Sequence, residues 1–114
     1  MKSQITIRPA GGTWVVRAGG AVLAESKDAV ELVEGERAPV VYFPRADVAM
    51  AFLDEAEQVT TCPFKGEAKY YSIVTKSTTL ENAAWSYEDP KDAVAEIKDY
   101  LAFYASDLVA VERV

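Results

Sequence analysis

A chain of 114 residues that contains no histidine and one cysteine, Cys62, has a short list of side chains able to do chemistry. Carboxylates, lysines, arginines, tyrosines, one thiol and backbone amides remain. The Ser-His-Asp triad, the Cys-His dyad, imidazole metal sites and multi-thiolate zinc sites are all removed, and so is an intramolecular disulfide. Within what remains, three segments join aromatic rings to a charge or to a proline-forced turn: Tyr42-Phe43-Pro44-Arg45-Ala46-Asp47, Cys62 through Tyr70, and Ala84-Trp85-Ser86-Tyr87. Arg45 offers a planar fork suited to a carboxylate or phosphate, and Asp47 is spaced to hold that fork by a salt bridge, which would serve either a ligand or only the turn. Lys65 beside Gly66 presents an ammonium next to backbone that a ligand can approach closely, or else is simply solvated. Cys62 precedes a proline, and Lys65 is near enough in sequence to favour its thiolate; without histidine as base, a small buried hydrophobe is the blander reading. Glu34, Tyr42, Tyr70, Trp85 and Tyr87 supply acid, hydroxyl and stacking surfaces, although rings fill cores whatever the function.

The overall balance constrains partners. Eighteen acidic against twelve basic residues give a formal charge of −6, which opposes nonspecific attraction to nucleic acid or to anionic lipid, and no basic run offsets it. Neither class of partner is expected. The longest apolar stretches, such as residues 38–44, fall well short of the ~20 residues needed to cross a bilayer. Residues 1–4 lead into an alternating strand pattern rather than a signal-peptide core, so the expected location is the cytoplasm, consistent with a lone reduced thiol. Half of the residues are hydrophobic, and a chain of this length removes roughly two thirds of its unfolded surface from water, so one domain over residues 1–114 with its own core is expected. No metal and no cofactor is implied, and the oligomeric state is not legible.

The elements that must position these residues are mainly strands. Ile5 and Ile7 alternate with polar neighbours until Pro9, Gly11 and Gly12 intervene. Residues 14–17 and 21–25 flank Gly19-Gly20, a hairpin signal because both glycines accept positive φ. A further strand spans residues 29–34, and Val40-Val41-Tyr42-Phe43, bracketed by Pro39 and Pro44, should lie at a sheet edge or be very short. Val48, Ala51, Phe52 and Ala56 recur at helical spacing after Asp47 as a possible N-cap, with Asp54, Glu55 and Glu57 on the wet side, so a short helix is expected there. Residues 59–62 read as a short strand broken by Pro63, and residues 69–75 and 78–87 as two longer ones. Asp89 and Pro90 open what reads as the firmest helix, with Ala93, Val94, Ile97 and Leu101 as its apolar stripe, and residues 108–111 return to the sheet. The sum is a mainly β fold of eight or nine short antiparallel strands with one or two short helices.

The order and spacing of Pro39-Val40-Val41-Tyr42-Phe43-Pro44-Arg45 with Asp47-Val48, Thr61-Cys62-Pro63-Phe64-Lys65-Gly66 with Ala68 and Tyr70, Ala84-Trp85-Ser86-Tyr87 with Pro90, and Ala102-Phe103-Tyr104 resemble the domain-of-unknown-function family 427 over nearly the whole chain. The resemblance implies a β-tent-like fold, a complex of coiled antiparallel sheets shared with zinc-binding nucleotide-exchange-like proteins and methionine sulfoxide reductases. Those relatives carry paired cysteines; Cys62 stands alone, so neither zinc nor thiol-pair redox chemistry carries over. The family is also catalogued as a nucleotidyltransferase, a reaction that needs convergent carboxylates for Mg²⁺ and a phosphate-cradling turn. Asp54, Glu55 and Glu57 fall on the exposed side of an expected helix, and Gly11-Gly12 and Gly19-Gly20 precede strands rather than helices, so the residues lend that label little support. Two functions therefore compete. One is a binding module whose mouth, lined by Tyr42, Arg45, Lys65, Tyr70, Trp85 and Tyr87, holds a small anionic or planar ligand. The other is a small-molecule enzyme with Glu34 or Asp47 as general base, Arg45 and Lys65 as electrostatic stabilisers and a tyrosine as proton donor, Cys62 being a weaker catalytic candidate. A structural or protein-interaction domain is a third reading, suggested by the charged face of the last helix.

Overall fold

Alternation of apolar and polar residues is realised as ten strands among the described residues, 4–114, of the computed structural model. They are β1 (Ile5–Pro9), β2 (Trp14–Ala18), β3 (Ala21–Ser26), β4 (Val30–Glu34), β5 (Val40–Tyr42), β6 (Leu53–Cys62), β7 (Gly66–Val74), β8 (Thr79–Ser86), β9 (Leu101–Phe103) and β10 (Val109–Arg113). The expected lead-in at residues 1–3 lies outside the described residues. The strands form three antiparallel sheets, ordered β1-β4-β5, β10-β2-β3 and β6-β7-β8-β9. Gly19 and Gly20, at φ 56° and 78°, make the tight turn between β2 and β3, where Ala18 faces Ala21. The two prolines around β5 leave it three residues long at a sheet edge, as proline's missing donor requires. No helix among the described residues is long and apolar enough to cross a membrane.

Two isolated backbone bridges add to the ladders, one joining two sheets and one holding the connection before β6 to β3. Phe43 and Leu101 exchange N–H···O bonds of 2.8 and 2.9 Å, joining β5 to β9, and Ala24 pairs with Val48. The period of two then divides the side chains of β5, β7 and β9 between two clusters. Val41, Phe43, Tyr71, Ile73, Leu101 and Phe103 join Val16 and Leu23 in one. Val40, Tyr42, Tyr70 and Ala102 join Leu32, Tyr87, Val94 and Ile97 in the other.

Two helices expected from the sequence are replaced. The acidic segment after Asp47 is not a helix: short 3-10 turns at Arg45–Asp47 and Met50–Phe52 deliver the chain into β6, which pairs with β7 from Leu53↔Ile73 to Cys62↔Gly66. Residues 59–62 are the end of this one strand. Its register shifts between Glu55 and Val59, and most of it is exposed, as befits an edge strand. The last expected helix is a kinked 3-10 segment, Asp92–Ile97, in which Val94 leaves helical geometry at φ −125° and ψ 27°. Its N-cap position is Lys91, not Asp89, and no side chain caps it. Val94 and Ile97, three residues apart, are both fully buried, a spacing that suits three residues per turn; Leu101 belongs to β9 instead.

Candidate functional site

Lys65 is turned inward by the tight connection between β6 and β7. Its N–H donates to Cys62 O at 3.3 Å and its carbonyl accepts from Lys91 N–H at 2.9 Å. Gly66 follows at φ +112°, and a Cβ there would meet Asp89 O at 3.3 Å, so this close approach of loop to loop needs a glycine. The Lys65 ammonium reaches Glu34 Oε1, at the end of β4, at 2.6 Å, and the two side chains are only 12 % and 16 % exposed. Little water screens such a pair, while the cost of taking both charges out of water offsets part of the attraction.

Around this pair lies a cavity of about 240 Å³ lined by Leu32 and Glu34 of β4, Arg37 and Ala38 of the following turn, Val40 and Tyr42 of β5, Lys65, Tyr70 of β7, Trp85 of β8, and Tyr87 and Tyr104. Four phenols and an indole thus converge. The Trp85 indole N–H donates to Tyr42 OH at 3.2 Å, and the two rings meet edge to face with centroids 6.3 Å apart. Tyr104, just past β9, tilts against the other side of Trp85 at 4.4 Å. Tyr70 OH shares a hydrogen bond with Thr60 Oγ1 at 3.1 Å.

Burial pushes the Tyr42 hydroxyl up to about 12; the Trp85 hydrogen bond works against the rise, and Cys62 and Glu34 add to it. Burial, then the hydrogen bond with Tyr70, raises Tyr104 to about 12 as well. Tyr87 is raised by burial and then by the negative potential of Tyr42, Cys62, Tyr70 and Glu34. These three phenols are neutral at physiological pH. Each can donate a hydrogen bond to a ligand, and none is an available base.

Of the candidate ligand-binding residues, Tyr42, Lys65, Tyr70, Trp85 and Tyr87 line this one cavity together with Glu34, whereas Arg45 does not. Arg45 instead closes a network on another part of the third sheet. Its guanidinium donates to Asp99 O at 3.0 Å, Tyr71 OH at 3.4 Å, Ser86 Oγ at 3.2 Å and Glu88 Oε2 at 3.1 Å. Tyr71 OH also donates to Glu88 at 2.6 Å. Burial opposes the charge on Glu88, but the Tyr71 hydrogen bond, Lys69 and Arg45 outweigh it and hold the carboxyl below its usual range. The expected Arg45–Asp47 pair is not what holds the turn: Asp47 accepts from Ser26 Oγ at 2.6 Å, and Ser26 Oγ in turn accepts from Asp28 N–H at 2.9 Å. Cys62 is half-buried at the end of β6 and is not part of the cavity lining, although it bears electrostatically on Tyr42 and Tyr87.

Tyr104 and Arg37 complete the lining without having been singled out for it. Tyr104 was visible only as the end of the Ala102-Phe103-Tyr104 motif; Arg37, in a turn, carried no periodic signal. Among the described residues no three Asp, Glu or Cys side chains are grouped to hold a metal ion.

No curated protein matches the chain in sequence. The model of a family described as a domain of unknown function, DUF427, matches residues 6–114. Nearly the whole chain is covered, and the protein belongs to the DUF427 family.

Proposed function

We propose that the protein is a binding module for a small planar ligand with an anionic edge, held in the cavity over β4, β5, β7 and β8. The observation that carries this reading is the convergence of four tyrosines and Trp85 around the Lys65–Glu34 pair. Rings offer flat apolar area, neutral phenols offer donors, and Lys65 with Arg37 leaves the lining with one positive charge in excess of Glu34. The volume, about 240 Å³, is below that of drug-sized sites and favours a molecule built on a single ring. We read the three coiled sheets as one tent-like domain with this cavity at its mouth, and charge and the lone thiol favour the cytoplasm.

Catalysis has less support. Glu34 is engaged by the Lys65 ammonium at 2.6 Å, and burial holds the protons on Tyr42 and Tyr104, so neither phenol offers a ready base. Arg45 and Asp47, the other candidate catalytic partners, are engaged elsewhere. Nucleotidyl transfer would require converging carboxylates, and Asp54 and Glu55 instead lie exposed on an edge strand.

Titrating the protein with benzoate and with benzyl alcohol while following Trp85 fluorescence and thermal unfolding tests the reading. Benzoate should perturb the indole and raise the melting temperature, and Lys65→Met should weaken benzoate at least tenfold while changing benzyl alcohol little. If neither ring compound binds at millimolar concentration, the reading is wrong.

A further inference from the structure

Beyond the Phe43–Leu101 bridge, β5 and β9 do not continue as a ladder. A second and larger cavity, about 520 Å³, opens there, and Trp14, Val41, Phe103, Ala105 and Val111 are among its walls. Among the described residues Glu31 is the only charged one in its lining, and Arg8 Nε holds that carboxylate at 2.6 Å. Its lining is therefore more apolar than that of the tyrosine cavity. Val40, Trp85 and Tyr104 line both spaces. Trp85 is fixed by its N–H bond to Tyr42, and Tyr104, 49 % exposed, packs against its ring with centroids 4.4 Å apart.

Resting on the binding reading above, we propose that the two cavities are one bipartite site and that its ligand is an amphiphile: a ring carboxylate at Lys65 whose apolar tail passes Trp85 into the groove between β5 and β9. A head alone would leave the groove's apolar wall in water. A tail alone would make no use of the Lys65 ammonium, which can share its donors between Glu34 and a ligand carboxylate, or of the neighbouring phenols. The charge and apolar surface of the lining are segregated in the order that such a molecule presents them.

The test is a series of 4-alkylbenzoates, from benzoate to 4-hexylbenzoate, with the matching 4-alkylbenzylamines, titrated by fluorescence against the native protein, Trp14→Phe and Ala105→Glu. Affinity should rise about three- to fourfold per methylene until the groove is filled. The longer compounds should perturb Trp14 as well as Trp85, so part of their signal disappears in Trp14→Phe, while benzoate's does not. Ala105→Glu, at an exposed position past β9, should flatten the chain-length dependence and leave benzoate binding within twofold. Benzoate binding with no gain along the series overturns the bipartite site and leaves the binding reading standing. Amines binding as tightly as carboxylates overturns the head assignment, and no binding by any member overturns both readings.

Discussion

Arg45 was the most attractive single residue for recognising an anion, and its surroundings assign it a different task. Its hydrogen-bond partners among the described residues are all the protein's own: the Asp99 carbonyl, Tyr71, the buried hydroxyl of Ser86, and Glu88. Replacing it with methionine keeps much of the stem packing but strips these acceptors of a charged donor, so Arg45→Met should cost about 2–3 kcal/mol in urea unfolding. Benzoate affinity should be unchanged in the same variant, and a large loss of affinity with intact stability would return Arg45 to the binding site. The acid side carries the same signature. Because Glu88 is held below its ordinary value of 4.5, its contribution is fully present above that pH and is lost as pH falls through the depressed value. Residue types announced the chemistry of this cluster, but partners set 26 to 54 positions away from Arg45 in sequence could not be read from spacing.

At the scale of elements, the strands bounded by glycine or proline were legible, because Gly19-Gly20 and the Pro39–Pro44 bracket act locally. The segment 53–58 was not, although residues 59–62 were legible as strand. Asp, Glu, Ala and Gln favour a helix locally, and an edge strand exposed along both faces shows no period of two, so the apolar positions 48, 51, 52 and 56 imitated a helical stripe. Pairing with β7 decides the outcome instead. The final helix was misread for a related reason: Val94 and Ile97 are a buried pair one 3-10 turn apart, and Leu101, which extended the apparent stripe, is buried in β9. The turn between β6 and β7 is the element on which the site depends most. Gly66→Ala places a Cβ 3.3 Å from Asp89 O at φ +112°. It should destabilise by about 1–3 kcal/mol and weaken benzoate binding severalfold by displacing Lys65. Stability measured with and without ligand separates the two effects, and a variant with native affinity would show that the turn does not set the position of Lys65.

For the molecule as a whole, the site and the stability of the fold rest on the same residues. The second cluster contains Tyr42, Tyr70 and Tyr87 where an ordinary core would hold leucines, and the cavity is hollowed against it. Alkali should therefore attack the molecule through the site. A phenol whose folded value lies above its unfolded one contributes stability that is complete below pH 10 and is lost as pH climbs through the folded value. For Tyr42, 1 % exposed and raised from 10.0 to about 12, the loss approaches about 3 kcal/mol, a large part of the margin of a small domain. The tyrosinate absorbance at 295 nm should then rise together with loss of the β-sheet circular dichroism, rather than before it. Tyr42→Phe makes the argument specific. At pH 7 the variant loses the acceptor of the Trp85 N–H and should be less stable by about 1 kcal/mol. Above pH 11 it no longer carries a buried phenol that ionises only on unfolding, so it should be more stable than the native protein. The two stability curves should cross between those limits; curves that stay parallel would mean that the Tyr42 hydroxyl is not held from water as its place beneath Trp85 requires.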